Sequence, residues 1–324
     1  MSSTRNEGVQ PLHVAVAVGH LAIAEYLASR GAEASSAGRE GQRPLHDAIQ
    51  TGYVSVVEHL TSRGAEASSS VGKDQRQPLH MAAQAGHVAL AKHLGIRGAE
   101  PSSATAQGVQ PFHVAARASH IAVAEHLARR RAEATSSNTN DGRQPLHVAG
   151  HVAVAEYLVG RRGVEVSSST KDGRRPLHGA ALDDRLAVAE YLTSRNAEAS
   201  AASNDGGQPL YHAALRGHVL LAEHLARRKA ESTPTTKKGL RPLHYAAQRG
   251  HVAFAEHLGS RKAEATLEAA PPGGVVGVPS PFLIAQKSGH LAFQEHLSTL
   301  DRSHALRRSS RTRPRVTTSS PSTL

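Results

Sequence analysis

Proline recurs at positions 11, 44, 78, 111, 145, 176, 209, 242 and 281, at intervals of 33, 34, 33, 34, 31, 33, 33 and 39 residues. Each proline opens a version of one phrase: PLHVA, PLHDA, PLHMA, PFHVA, PLHVA, PLHGA, PLYHA, PLHYA and PFLIA. Such a period marks a repeated supersecondary unit. A unit this short cannot bury its apolar side alone, so it must stack on its neighbours. The period therefore overrides the two or three globular domains that length alone suggests.

The phrase says what the unit is. Proline fixes its own φ and lacks an N–H, which suits the first turn of a helix. Leu12 and its equivalents face a core, and alanine pairs such as Ala82-Ala83 let helices approach closely. Gly19, Gly52, Gly86, Gly217, Gly250 and Gly289 stand where the helix must end and reverse. Next, HLAIAEYLASR puts Leu21, Ile23, Ala24 and Leu27 on one helical stripe. Each unit thus reads helix, turn, helix, polar loop. Aromatic residues are only 3% of the chain, with no Trp and no Cys. Small-residue helix packing replaces an aromatic core, and disulfides, thiolate metal sites and cysteine nucleophiles are excluded.

With nine such phrases in register, the chain resembles the ankyrin-repeat family from about residue 7 to residue 301. The resemblance implies an all-α solenoid of stacked helix-turn-helix units with short loop fingers. The units span 7–39, 40–73, 74–106, 107–140, 141–171, 172–204, 205–237, 238–265 and 277–301, after a short segment 1–6. An insertion occupies 266–276, and a Ser/Thr/Arg-rich tail, 302–324, is expected to be disordered. Unit nine has Leu283 where the His belongs and is expected to be a cap. Unit one has no capping segment of its own, so some of Val14, Val16 and Val18 should be exposed.

Three departures from the family pattern carry expectations. The residue before proline is usually Thr, but here it is Gln10, Arg43, Gln77, Gln110, Gln144, Arg175, Gln208 or Arg241. A capping hydroxyl worth ~1 kcal/mol is expected to be lost at each of these sites, leaving a marginal array with fraying ends. The glycine after the second helix is kept at Gly31, Gly64, Gly98 and Gly163 but replaced by Arg131, Asn196, Lys229 and Lys262. Unit five, QPLHVAGHVAVAEYL, is three residues shorter than QPLHMAAQAGHVALAKHL of unit three. That removes about 4.5 Å of helix. A local fault is expected there, dividing the recognition face between units one to four and six to nine.

The chain has 22 histidines, and the repeat explains most of them. Those of the Pro-Leu-His phrase should be buried and bonded to backbone in the preceding turn. Those after the turn glycine, such as His120 and His251, should be structural. Those on the second helix, such as His59, His93 and His126, form a ladder on the order of 10 Å apart, too far to converge on one metal ion. In unit five His147 and His151 stand four apart like a helical zinc pair, but no third ligand is near and the pair reads as a by-product of the deletion. HExxH and GxSxG motifs are absent. A non-enzyme with no cofactor is expected.

That leaves surface. Ankyrin-like proteins generally bind other proteins through loop tips and the exposed face of the first helix. Carried onto this chain, the loop positions are Arg39, Arg43, Lys73, Arg76, Arg143, Lys171, Arg174, Arg175, Lys237, Lys238 and Arg241. The first-helix positions are Asp47, Gln50, Met81, Gln84, Arg117, Arg216, Tyr245, Gln248 and Arg249. The loops lean basic, so an acidic protein partner is the expectation. Net charge is +11, of which Arg302, Arg307, Arg308, Arg311, Arg313 and Arg315 supply six in a tail without acids. An alternative function is therefore polyanion binding, to nucleic acid or anionic lipid, or nuclear targeting, through Arg307, Arg308, Arg311, Arg313 and Arg315. Ser310 resembles a basophilic kinase site. No run approaches the ~18 apolar residues of a membrane span. A cytoplasmic location is expected, with the nucleus as the alternative.

Overall fold

The computed structural model describes residues 10–30, 32, 41–130, 139–228, 236–260 and 278–311. First helices run Pro11–Val18, Pro44–Thr51, Pro78–Ala85, Pro111–Ala118, Pro176–Leu182, Pro209–Arg216, Pro242–Arg249 and Pro281–Lys287, each starting on its proline. In unit five the proline opens only a 3-10 turn, Pro145–Val148. Second helices follow at Leu21–Ser29, Val54–Ser62, Val88–Ile96, Ile121–Arg129, Val152–Glu156, Leu186–Ser194, Val219–Arg227, Val252–Ser260 and Leu291–Arg311. Among the described residues the only β-pairing is a single bridge between Val71 and Arg76.

The chain divides into two compact units, residues 1–204 and 205–324. Within the first, units one to six stack in order, first helix on first helix and second on second. Within the second, units seven to nine do the same. The stacked faces bury Leu12, Leu45, Leu79, Phe112, Leu146 and Leu177 in one, and Phe254 and Phe293 in the other. The local fault expected in unit five is confined to its first helix, which is reduced to the 3-10 turn. The 3-10 turn of unit five still packs between helices Pro111–Ala118 and Pro176–Leu182, and its second helix between those of units four and six.

The repair is local. Arg185 occupies the position where most units carry the turn histidine. Its Nη1 donates to the carbonyl of Val148 at 3.2 Å, and its Nη2 pairs with Asp183 at 3.3 Å. The cut end of the short helix is thereby closed by a long side chain from the next unit. The second helix of unit five absorbs the rest of the mismatch by widening into a π-helical stretch, Tyr157–Arg161.

None of the residues before the first eight repeat prolines makes a side-chain cap bond, as expected, but the backbone compensates. The residue before proline has extended φ and ψ, and its carbonyl accepts the N–H of the phrase histidine, as in His46 to Arg43 at 2.9 Å and His80 to Gln77 at 2.9 Å. Its own N–H donates to that histidine's Nδ1 at 3.0 and 3.2 Å. The backbone carbonyl takes the N–H a hydroxyl would have taken, and the imidazole accepts the N–H of the residue before proline. Where Leu283 replaces the histidine, a hydroxyl returns: Ser280 Oγ accepts from the Leu283 N–H at 3.3 Å.

Gly52 and Gly86 end their helices at φ 84° and 79°. A Cβ on either would come within 2.8 and 2.6 Å of the next unit's turn imidazole, His87 or His120. Ser119 takes the same left-handed turn at φ 69°, and Asn196 replaces the second-helix glycine at φ 66°. Arg131, Lys229 and Lys262 lie outside the described residues, as do Gly31 and the insertion 266–276.

At the N-terminal end Val16 is buried while Val14 and Val18 are 52% and 62% exposed. The last helix continues past Asp301 to Arg311, across the expected start of the tail at residue 302. Ala305, Leu306, Arg307 and Arg308 are good helix formers, and no proline intervenes before Pro314. Residues 312–324, including Arg313 and Arg315, lie outside the described residues.

Candidate protein-binding groove

The finger loops are built on a small motif that the proline count does not reveal. Thr105, Thr139, Thr170 and Thr236 are each followed three residues later by a glycine. Gly108, Gly142, Gly173 and Gly239 turn the loop at φ 75–83°. Each threonine hydroxyl accepts an N–H four residues on, from Val109, Arg143, Arg174 and Leu240 at 2.9–3.2 Å. Four copies of T-x-x-G in register were the available signal.

Successive fingers are tied tip to tip. Ala106 N–H donates to Asp74 O at 3.0 Å, Asn140 to Gln107 at 2.9 Å, Lys171 to Asp141 at 2.9 Å and Asn204 to Asp172 at 2.8 Å. The Asn140 and Asn204 side chains add bonds to Ala106 O and Lys171 O, both 2.9 Å. The fingers of units two to six therefore form one wall.

The phrase histidines fix that wall to the helices. With Nδ1 accepting a backbone N–H, the ring proton sits on Nε2. His46, His80, His113 and His147 donate it to Ser69 O, Val109 O, Arg143 O and Arg174 O at 2.9–3.1 Å. Their expected bond to the preceding turn is present, and a second bond reaches the following finger. Burial pushes His46 below its usual pKa, and pushes His80, His147 and His244 down to about 4. These rings are neutral structural ties. His147 has both nitrogens occupied by backbone, and His151 Nδ1 accepts from Ala153 N–H at 3.3 Å, so the two do not make a metal pair. The turn histidines tie in the other direction: His120, His251 and His290 donate to Gln84 O, Leu215 O and Gln248 O of the preceding unit at 3.0–3.2 Å.

Between finger wall and first helices lie two neighbouring cavities. One, about 920 Å³, is lined by Gln50, Met81 and Ala85 on the helices and Lys73, Asp74 and Arg76 on a finger. The other, about 600 Å³, continues over units three to five, with Val114, Arg117 and Val148 below and Val109, Asp141 and Arg143 on the wall. Asp74, Arg76 and Gln84 belong to both, so the two form one groove.

Seven sequence-derived positions come together here: Gln50, Lys73, Arg76, Met81, Gln84, Arg117 and Arg143. Arg76 donates to the Gln84 side-chain carbonyl. Gln107 donates to Asp74 at 3.1 Å. Arg143 pairs with Asp141 at 2.9 Å. Burial works to raise the Asp141 carboxyl, but the Thr139 hydroxyl and the Arg143 guanidinium outweigh it and hold it below its usual range. Both groove acids are thus occupied, whereas Lys73 and Arg117 have no ion-pair partner among the described residues.

The other positions are not brought to this groove. Arg43 pairs with Glu66 at 3.4 Å and Arg175 with Glu198 at 2.7 Å, both partly buried beside their helix starts. Asp47 is half-buried, and desolvation raises its carboxyl. Arg241 is 4% exposed, which corrects its reading as a surface loop position; its backbone N–H donates to His244 Nδ1 at 3.0 Å. Lys171 is exposed and Arg174 half-buried on the next finger. Arg216, Lys237, Lys238, Gln248 and Arg249 are exposed within residues 205–324, where Tyr245 meets Tyr211 edge-on at 5.6 Å. Arg39 lies outside the described residues. Ser310, Arg307, Arg308 and Arg311 fall on the last helix, where only the backbone is described.

A family model described as ankyrin repeats (3 copies) matches residues 1–71, 79–170, 112–203 and 177–269. The chain belongs to the ankyrin-repeat family. The helix pair from Pro281 onward lies beyond the matched residues. No curated protein matches the chain. Ankyrin repeats generally mediate protein–protein interactions, and no helix among the described residues is long and apolar enough to cross a membrane.

Proposed function

We propose that the protein is a non-catalytic scaffold that binds an acidic segment of a partner protein in the groove of units two to five. The observation that carries this reading is the charge of the groove: four basic side chains, Lys73, Arg76, Arg117 and Arg143, face two acids that already have partners. Complementary charge gives a binding surface its specificity and its association rate. The tied fingers support the same reading, because a wall held in place loses little freedom on binding.

The test is selection of a random dodecapeptide display library on the full chain, with the double variant Lys73→Glu and Arg117→Glu as counter-target. Both side chains are exposed, so the variant should keep the fold. Recovered peptides should be enriched in Asp and Glu and should not bind the variant. Peptides without acidic enrichment, or equal recovery on the variant, would refute the reading.

A further inference from the structure

The short unit opens a side-chain pocket in the groove. Set against Ala115, Ala116, Arg117, Ala118 and Ser119 of unit four, unit five has Ala149 followed at once by Gly150. The missing residues include the outward position held by Gln50, Gln84 and Arg117 in the three preceding units. The row of long side chains along the groove therefore stops at Arg117. Beyond it the surface drops to Val148 on the 3-10 turn, which lines the 600 Å³ cavity together with Val109 and Val114.

Two features keep this gap from collapsing. Arg185 closes the cut helix from behind, satisfying Val148 O. Gly179 brings the next unit close: a Cβ there would run into the carbonyl of His147. The deletion is thus filled on the stacking side and left empty on the groove side. The result is a patch of three valines in an otherwise mostly polar lining, in which Arg76, Arg117 and Arg143 outnumber Asp74 and Asp141.

We infer that this pocket takes one large apolar side chain, flanked by acidic residues, from the partner segment. The inference rests on the acidic-segment reading above and adds its anchor. Charge complementarity selects the flanks, and the valine patch, opened by the short unit, selects the side chain between them.

The probes are two fluorescein-labelled peptides, Glu-Asp-Glu-Phe-Glu-Asp-Glu and the same peptide with Ala for Phe, titrated by anisotropy against the full chain at low salt. The Phe peptide is expected to bind at least tenfold tighter. The preference should vanish when Ala-Gln-Ala is inserted between Ala149 and Gly150, restoring the helix over the pocket. It should also vanish in Val148→Lys, which keeps the chain length and serves if the insertion fails to fold. Equal binding of both peptides to the wild-type chain overturns the pocket while leaving the acidic groove intact. A preference that survives Val148→Lys overturns it too. Failure of both peptides to bind overturns the groove reading itself.

Discussion

Arg185 of unit six donates from Nη1 to the carbonyl of Val148 in unit five at 3.2 Å, across the stacking surface and 37 residues along the chain. This bond closes a helix that the deletion cut short. Arg185→Ala should leave that carbonyl without its partner and cost about 1–3 kcal/mol. Chemical denaturation should show it as a lower midpoint, and hydrogen exchange should show faster exchange in units four to six. An unchanged midpoint with unchanged protection there would mean that the short unit stands without its stitch.

Thr61 links two second helices. Its hydroxyl donates to Val57 O at 2.8 Å and accepts from His93 Nε2, also at 2.8 Å. One unit earlier and one unit later the equivalent positions are Ala28 and Gly95, and His59 and His126 bury Nε2 without a partner. Thr61→Val keeps the shape, removes the hydroxyl and should destabilise by about 1 kcal/mol. The cost should largely disappear in a His93→Leu background. Equal costs in both backgrounds would show that the pair is not coupled.

Acid should unfold the array through its phrase histidines. His80, His147 and His244 have folded pKa values near 4, against 6.5 for a free imidazole. The unfolded chain therefore binds more protons between those values, and stability falls as pH drops from about 6.5 to about 4. Each ring contributes on the order of 3 kcal/mol above that window and nothing below it. Arg76, Arg143 and Arg241 beside the three rings act in the same direction. Tm measured at pH 7.5, 6, 5 and 4 should fall steeply below pH 6. A flat profile would mean that these imidazoles are not neutral ties.

Gly86 tests the turn ladder. An alanine there takes φ 79° and meets His120 Nδ1 at 2.6 Å. Backbone strain alone costs about 1–2 kcal/mol. Displacing His120 should add the loss of its bond to Gln84 O. In His120→Ala the same substitution should cost only the strain, which equilibrium unfolding of the single and double variants can separate.

The helix starts could be read from the sequence because proline marks a local event. All nine positions open a helical turn where the spacing put it. Bonds between units could not be read in this way. His80 reaches forward to Val109 and His120 reaches back to Gln84, and neither direction follows from periodicity within a unit. The deletion was visible, but its repair was not. Asp183-Asp184-Arg185 departs from the Gly-His pattern and is where the compensating side chain stands. The groove was half legible. Gln84 and Arg117 were carried over from the family resemblance, whereas the T-x-x-G fingers that form its wall were hidden by variation at the intervening positions.

Site-directed photocrosslinking asks most directly where a partner binds. A benzophenone amino acid is placed at Gln84, in the groove, or at Glu58, exposed on a second helix, and the chain is irradiated with the Phe-centred acidic peptide. Crosslinking from position 84, abolished by Lys73→Glu with Arg117→Glu and absent from position 58, is the expected result. Crosslinks from position 58 that match or exceed those from 84, or crosslinks at 84 indifferent to the charge reversal, would contradict the groove as the binding surface.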